Sequence, residues 1–84
     1  MNIILADDNR NLCSALALVL ETRLQPVELA FASNFPALLQ RVNERQPDCI
    51  VLDCELPGFA GCLSHLRSIS PDVKIIVFSA RPED

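Results

Sequence analysis

The sequence predicts an α/β domain built on a parallel sheet with helices on both faces. Three observations carry this expectation. Short, continuous apolar runs alternate with longer stretches of helical periodicity along the 84 residues. The apolar runs close abruptly on polar groups, at Asp7-Asp8, Asp53 and Ser79. Proline or glycine punctuates the joints at Pro26, Pro47 and Pro57-Gly58. Runs without alternation suit strands covered on both faces, and strand–helix–strand succession implies right-handed crossovers within one sheet. At ~100 to 200 residues per domain, the length leaves room for one domain spanning residues 1–84.

Ile3-Ile4-Leu5-Ala6 reads as the first strand, a buried run closed by the acidic pair Asp7-Asp8. From Asn11 to about Leu24, the residues Leu12, Leu16, Val19, Leu20 and Leu24 recur at helical spacing, with Asp8, Asn9 or Asn11 available as the N-cap. Pro26 stops that helix. Val27 to Ala32 alternates only in part, which suits a strand near a sheet edge.

Ser33 is placed to cap a second helix, in which Phe35, Leu38, Leu39 and Val42 form the apolar stripe. Gln40, Arg41, Asn43, Glu44 and Arg45 form its wet face, and Pro36 fits because it falls in the first turn. Cys49-Ile50-Val51-Leu52 is another fully apolar strand, closed by Asp53. Pro57-Gly58 and Gly61 then mark a loop, and Cys62, Leu63, Leu66 and Ile69 a short amphipathic helix. Val73 to Phe78 reads as a further buried strand ending at Ser79-Ala80. The expected order is therefore strand, helix, strand, helix, strand, helix, strand.

Composition narrows the function. Half of the residues are apolar, 21% are charged and 5% are aromatic, which is globular rather than disordered or repeat-like. The longest apolar run, Ala15 to Leu20, falls far short of the ~18 residues of a membrane span. The net charge of −4 speaks against a nucleic-acid or anionic-membrane surface, since either needs basic patches. Met1-Asn2-Ile3-Ile4 lacks the start of a signal peptide, so the cytoplasm is the expected location. Cys13, Cys49, Cys54 and Cys62 contain no C-x-x-C pair and are expected to be reduced and buried rather than to hold zinc. His65, on the polar side of its helix, is expected to be a surface residue.

The polar strand ends locate the chemistry. In open parallel sheets, ligands bind at the carboxyl ends of the strands, where strand order reverses. Asp7, Asp8 and Asp53 should converge there, so either their pKa values rise or a cation lies among them. Oxygen donors at a solvent-facing edge favour a hard ion that keeps several waters, magnesium before calcium or a transition metal. A carboxylate beside magnesium is equipped to attack phosphorus and form an acyl phosphate. Acids at strand–helix junctions also serve as caps, and Ser79 could be a turn hydroxyl, so the pattern needs further support.

That support comes from a set of motifs in order. The acidic pair Asp7-Asp8, Pro47-Asp48 before the third strand, Asp53-Cys54-Glu55-Leu56-Pro57-Gly58 with Gly61 after it, and Lys74-Ile75-Ile76-Val77-Phe78-Ser79-Ala80 at the fourth together resemble a response-regulator receiver domain. This is the CheY-like family of two-component signalling, and the resemblance covers the whole chain. It implies a flavodoxin-like (CheY-like) fold and a phosphoacceptor module in a phosphorelay rather than a dedicated enzyme.

Asp53 would accept a phosphoryl group from a phosphohistidine on a sensor histidine kinase or phosphotransfer protein. Mg2+ would be held at Asp7, Asp8, Asp53 and the backbone carbonyl of Glu55, and Ser79 would be the switch hydroxyl that moves onto the phosphoryl oxygen. Gly58 would allow the tight turn after Pro57.

The resemblance also implies a departure. A full receiver continues to a fifth strand and two further helices and carries a lysine at the end of that strand, so the chain reads as a C-terminally truncated receiver. Lys74 is no substitute, since five residues at ~3.3 Å each put it about 16 Å from Ser79; Arg81 is closer but matches no motif position. Ala15, Ala17 and Leu18 add apolar surface to the first helix beyond its main stripe. That surface and the open edge of the fourth strand point to a homodimer. The alternative function is a degenerate receiver fragment that no longer switches and serves as a dimerisation or protein-interaction module. An aspartate-nucleophile phosphatase is set aside, because Asp53-Cys54-Glu55-Leu56-Pro57 is not a D-x-D-x-T run.

Overall fold

A computed structural model of the chain describes residues 1–79. Four strands, β1 (Asn2–Ala6), β2 (Glu28–Ala32), β3 (Cys49–Asp53) and β4 (Lys74–Phe78), alternate with three helices, α1 (Arg10–Arg23), α2 (Phe35–Glu44) and α3 (Phe59–Ile69). All strand pairs are parallel and the order is β2-β1-β3-β4, so the order reverses between β1 and β3. The predicted α/β class and element order hold. Ala80 and Arg81, which closed the matching segment and stood near Ser79, lie outside the described residues.

The pleat divides the core in two. Ile4, Ala6, Ile50 and Leu52 face α2 and α3, whose Leu38, Val42, Cys62 and Leu66 cover them together with Leu56 of the loop before α3. Ile3, Leu5 and Cys49 face α1, which covers them with Cys13 and Ala17. The central strands β1 and β3 are hidden from both sides, which is why their sequences show no alternation. Each large side chain buried fully, such as Leu5, Leu38 or Ile50, contributes about 1.5 to 3 kcal/mol of transfer free energy. The partial alternation of β2 matches its place at one edge of the sheet.

Four local expectations are corrected. α2 is capped by Asn34, whose side chain accepts the Ala37 amide at 2.8 Å, and not by Ser33. Both residues suit a cap, and the helix starts one residue later than Ser33 would require. On α1 the buried residues are Cys13 and Ala17 rather than the series Leu12, Leu16, Val19, Leu20 and Leu24, so Ala17 belongs to the core face and not to the extra apolar surface. Close packing on the sheet selects the small side chains, with Leu16 and Leu20 flanking and Val19 facing outward. Gly61 lies inside α3, with open space around a would-be Cβ, and not in the loop. Finally, β4 is no buried strand: Ile76 and Val77 are about half exposed, because β4 closes the sheet on one side only.

Candidate phosphoacceptor and metal site

The site forms where β1 and β3 run side by side at the reversal of strand order. Ala6 pairs with Leu52, so Asp7 and Asp53 emerge next to each other at the carboxyl edge. Both are buried, whereas their neighbour Asp8 is exposed. Asp7, Asp8 and Asp53 each offer a carboxylate oxygen within 4.8 Å of the others. The three acids expected to converge do so.

Local structure fixes Asp7 and Asp53. The Asp7 amide donates to the Ala32 carbonyl at 2.9 Å, tying it to the end of β2. Its Oδ1 accepts the Asn9 amide at 3.0 Å, and the Asn9 side chain in turn caps α1 through the Leu12 amide at 3.0 Å. Asp53 Oδ1 accepts the Glu55 amide at 2.9 Å, while the Cys54 amide donates to the Phe78 carbonyl at 3.0 Å. The loop after β3 is thus anchored on both the carboxylate and β4. It ends at Gly58, whose φ of 79° is the left-handed conformation that favours glycine, and α3 begins directly afterwards.

The electrostatics of the cluster are unfavourable without a cation. Burial is the main cause that pushes the Asp7 carboxyl above its usual value, against the lowering effect of the Asn9 amide. The nearby Asp53 and Asp8 push it further up. Asp7 Oδ2 is buried and has no hydrogen-bond partner. A buried, unpartnered oxygen among three carboxylates is the donor chemistry that suits a hard divalent cation.

Ser79, the candidate hydroxyl, directly follows β4. Its Oγ donates to Oε1 of Glu55 at 3.3 Å. Sequence reasoning assigned only the backbone of Glu55 and missed this side-chain role. No local signal could have shown it, since the contact spans 24 residues and depends on β3 and β4 pairing in register. Lys74 sits at the start of β4 beside Cys49, at the opposite end of the strand from Ser79. His65 is exposed, as expected. The four cysteines are free, with Cys13, Cys49 and Cys62 buried and Cys54 half-buried.

Comparison with known proteins agrees with this geometry. The response regulator receiver domain family matches residues 3–84, and the chain belongs to that family. Among its curated relatives, the phosphate regulon transcriptional regulatory protein PhoB of Escherichia coli is 32% identical over 87 residues, covering 98% of this chain and 37% of PhoB. The transcriptional activator protein ExaE of Pseudomonas putida is 31% identical over 85 residues, covering 99% of this chain and 40% of ExaE. The chain therefore spans well under half the length of these relatives.

The fold is also that of the isolated receiver domain of RcsB from Salmonella enterica serovar Typhimurium, solved with the phosphomimetic BeF3-. The TM-score is 0.84 at 21% identity, over 99% of this chain and 64% of that one. The chain is thus a receiver-type module with a two-component signalling role, and the relatives named above are transcriptional regulators. Among the described residues, no helix is long and apolar enough to cross a membrane.

Proposed function

We propose that the chain, taken as one receiver domain over residues 1–84, is phosphorylated on Asp53 by a sensor histidine kinase or phosphotransfer protein, with Mg2+ at the acidic cluster. The observation that carries the reading is the buried, unpartnered Oδ2 of Asp7 beside Asp53 and Asp8. Asp7, Asp8, Asp53 and the Glu55 carbonyl would hold the ion. Mg2+ bound there neutralises charge on the transferring phosphoryl group. An Asp53 oxygen attacks phosphorus while the P–N bond to the donor imidazole breaks, leaving an acyl phosphate on Asp53. The Glu55 amide orients the Asp53 carboxylate for this step, and Ser79 supplies the hydroxyl that binds a phosphoryl oxygen afterwards.

The test is incubation with Mg2+ and acetyl phosphate, followed by intact mass. One added phosphoryl group is expected, and Asp53→Asn should abolish it. Absence of the gain in the native protein would overturn the reading and favour a module that only binds partners.

The expected homodimer belongs to the same reading. Leu18 and Val19 are 67% and 55% exposed on α1, and Ile76 lies on the same face of the sheet as α1, next to the outer edge of β4. A second copy covering these residues would bury apolar surface and pair that edge. Sedimentation at tens of micromolar decides the point, and a monomer there would sink it.

A further inference from the structure

We infer that the Glu55 carboxylate is a positioning residue, a latch that holds the Ser79 hydroxyl away from the phosphoacceptor until the phosphoryl group arrives. The inference deepens the phosphoacceptor reading above and rests on it for its second arm only.

Glu55 stands between the two groups that the switch must bring together. Its backbone amide donates to Asp53 Oδ1 at 2.9 Å, and its side-chain Oε1 accepts the Ser79 hydroxyl at 3.3 Å. The first contact fixes where residue 55 sits relative to the acceptor. The second draws the Ser79 Oγ toward a carboxylate oxygen that is itself anionic. The register of β3 with β4, Asp53 opposite Phe78, puts Ser79 one residue beyond the position that faces the acceptor, at the same edge of the sheet.

A hydroxyl has one proton to donate, so Ser79 cannot donate to Glu55 and to a phosphoryl oxygen at once. A phosphoryl group on Asp53 also brings negative charge close to the Glu55 carboxylate, which weakens the latch as the competing acceptor appears. Release of Ser79 is therefore coupled to phosphorylation by exchange of one hydrogen bond for another. Glu55 is exposed and lies outside the apolar core, so its replacement removes no core contact.

Two measurements test the latch. In the ligand-free protein, the Hα–Hβ couplings of Ser79 should report one dominant rotamer. Glu55→Ala should average them, and Glu55→Gln, which keeps an oxygen at that place, should preserve the native pattern. In the second arm, beryllium fluoride with Mg2+ stands in for the phosphoryl group.

Losing one net hydrogen bond of ordinary strength corresponds to roughly a 2- to 10-fold change. Glu55→Ala should tighten beryllium fluoride binding in both backgrounds by relief of charge, and by that further factor where Ser79 is present compared with the Ser79→Ala background. Equal tightening in both backgrounds would mean charge repulsion alone and would overturn the latch, as would native couplings already averaged. If the native protein binds no beryllium fluoride, the phosphoacceptor reading fails, and the couplings still decide the latch.

Discussion

Asp7 and Asp53, which close the neighbouring parallel strands β1 and β3, place two buried carboxylates within 4.8 Å of each other. In most folds such a pair is avoided, because each buried charge raises the free energy of the other. Here the pairing of β1 with β3 sets the two acids side by side.

The first prediction follows from that pairing. Burial raises the Asp7 carboxyl above the 3.8 expected in the unfolded chain. Between the two values the native protein holds a proton that the unfolded chain has lost, so stability falls as pH rises through that window and then levels. Urea unfolding from about pH 4 to about pH 7 without divalent ions should show this fall. Asp7→Asn should remove it and raise stability at neutral pH, because it takes one buried charge out of a cluster of three carboxylates. Added Mg2+ should stabilise the native protein at neutral pH and have little effect on the variant.

The cysteines should differ in reactivity. Burial raises the thiols of Cys13, Cys49 and Cys62, so they are both covered and protonated at pH 8, while Cys54 is half-buried in the loop after β3. Brief alkylation of the native protein should give one label, at Cys54, and four after denaturation. Rapid labelling of a second thiol in the native state would contradict the described core.

Gly58 should resist replacement. Its φ of 79° costs a side chain roughly 1 to 2 kcal/mol, and a Cβ there would also meet the Phe35 ring at 3.4 Å. Gly58→Ala should lower stability by about that amount in urea unfolding, whereas Gly61→Ala, with open space and an α3 backbone, should be neutral or slightly stabilising.

The cap of α2 offers a paired test. Asn34→Ala should cost about 1 kcal/mol, because it removes the acceptor of the Ala37 amide. Ser33→Ala, a change at an exposed position outside the cap, should stay within about 0.5 kcal/mol. The reverse order would reinstate Ser33 as the cap.

By itself, the sequence determined the class, the element order and the three acids. Continuous runs such as Ile3–Ala6 and Cys49–Leu52 can be hidden only in the middle of a parallel sheet, and the acids that end them must then lie at one edge. These are local patterns with a single global solution.

What only the tertiary structure decided depends on partners distant in the chain. Whether α1 buries Cys13 and Ala17 or its larger neighbours follows from how closely the helix packs on β1 and β3. The exposure of Ile76 and Val77 follows from β4 lying at the edge, which its apolar sequence does not reveal. The Ser79 hydroxyl meets Glu55 only because the β3–β4 register brings residues 24 positions apart into contact. Periodicity in a chain reports which residues seek burial, while the register between strands decides which polar groups meet.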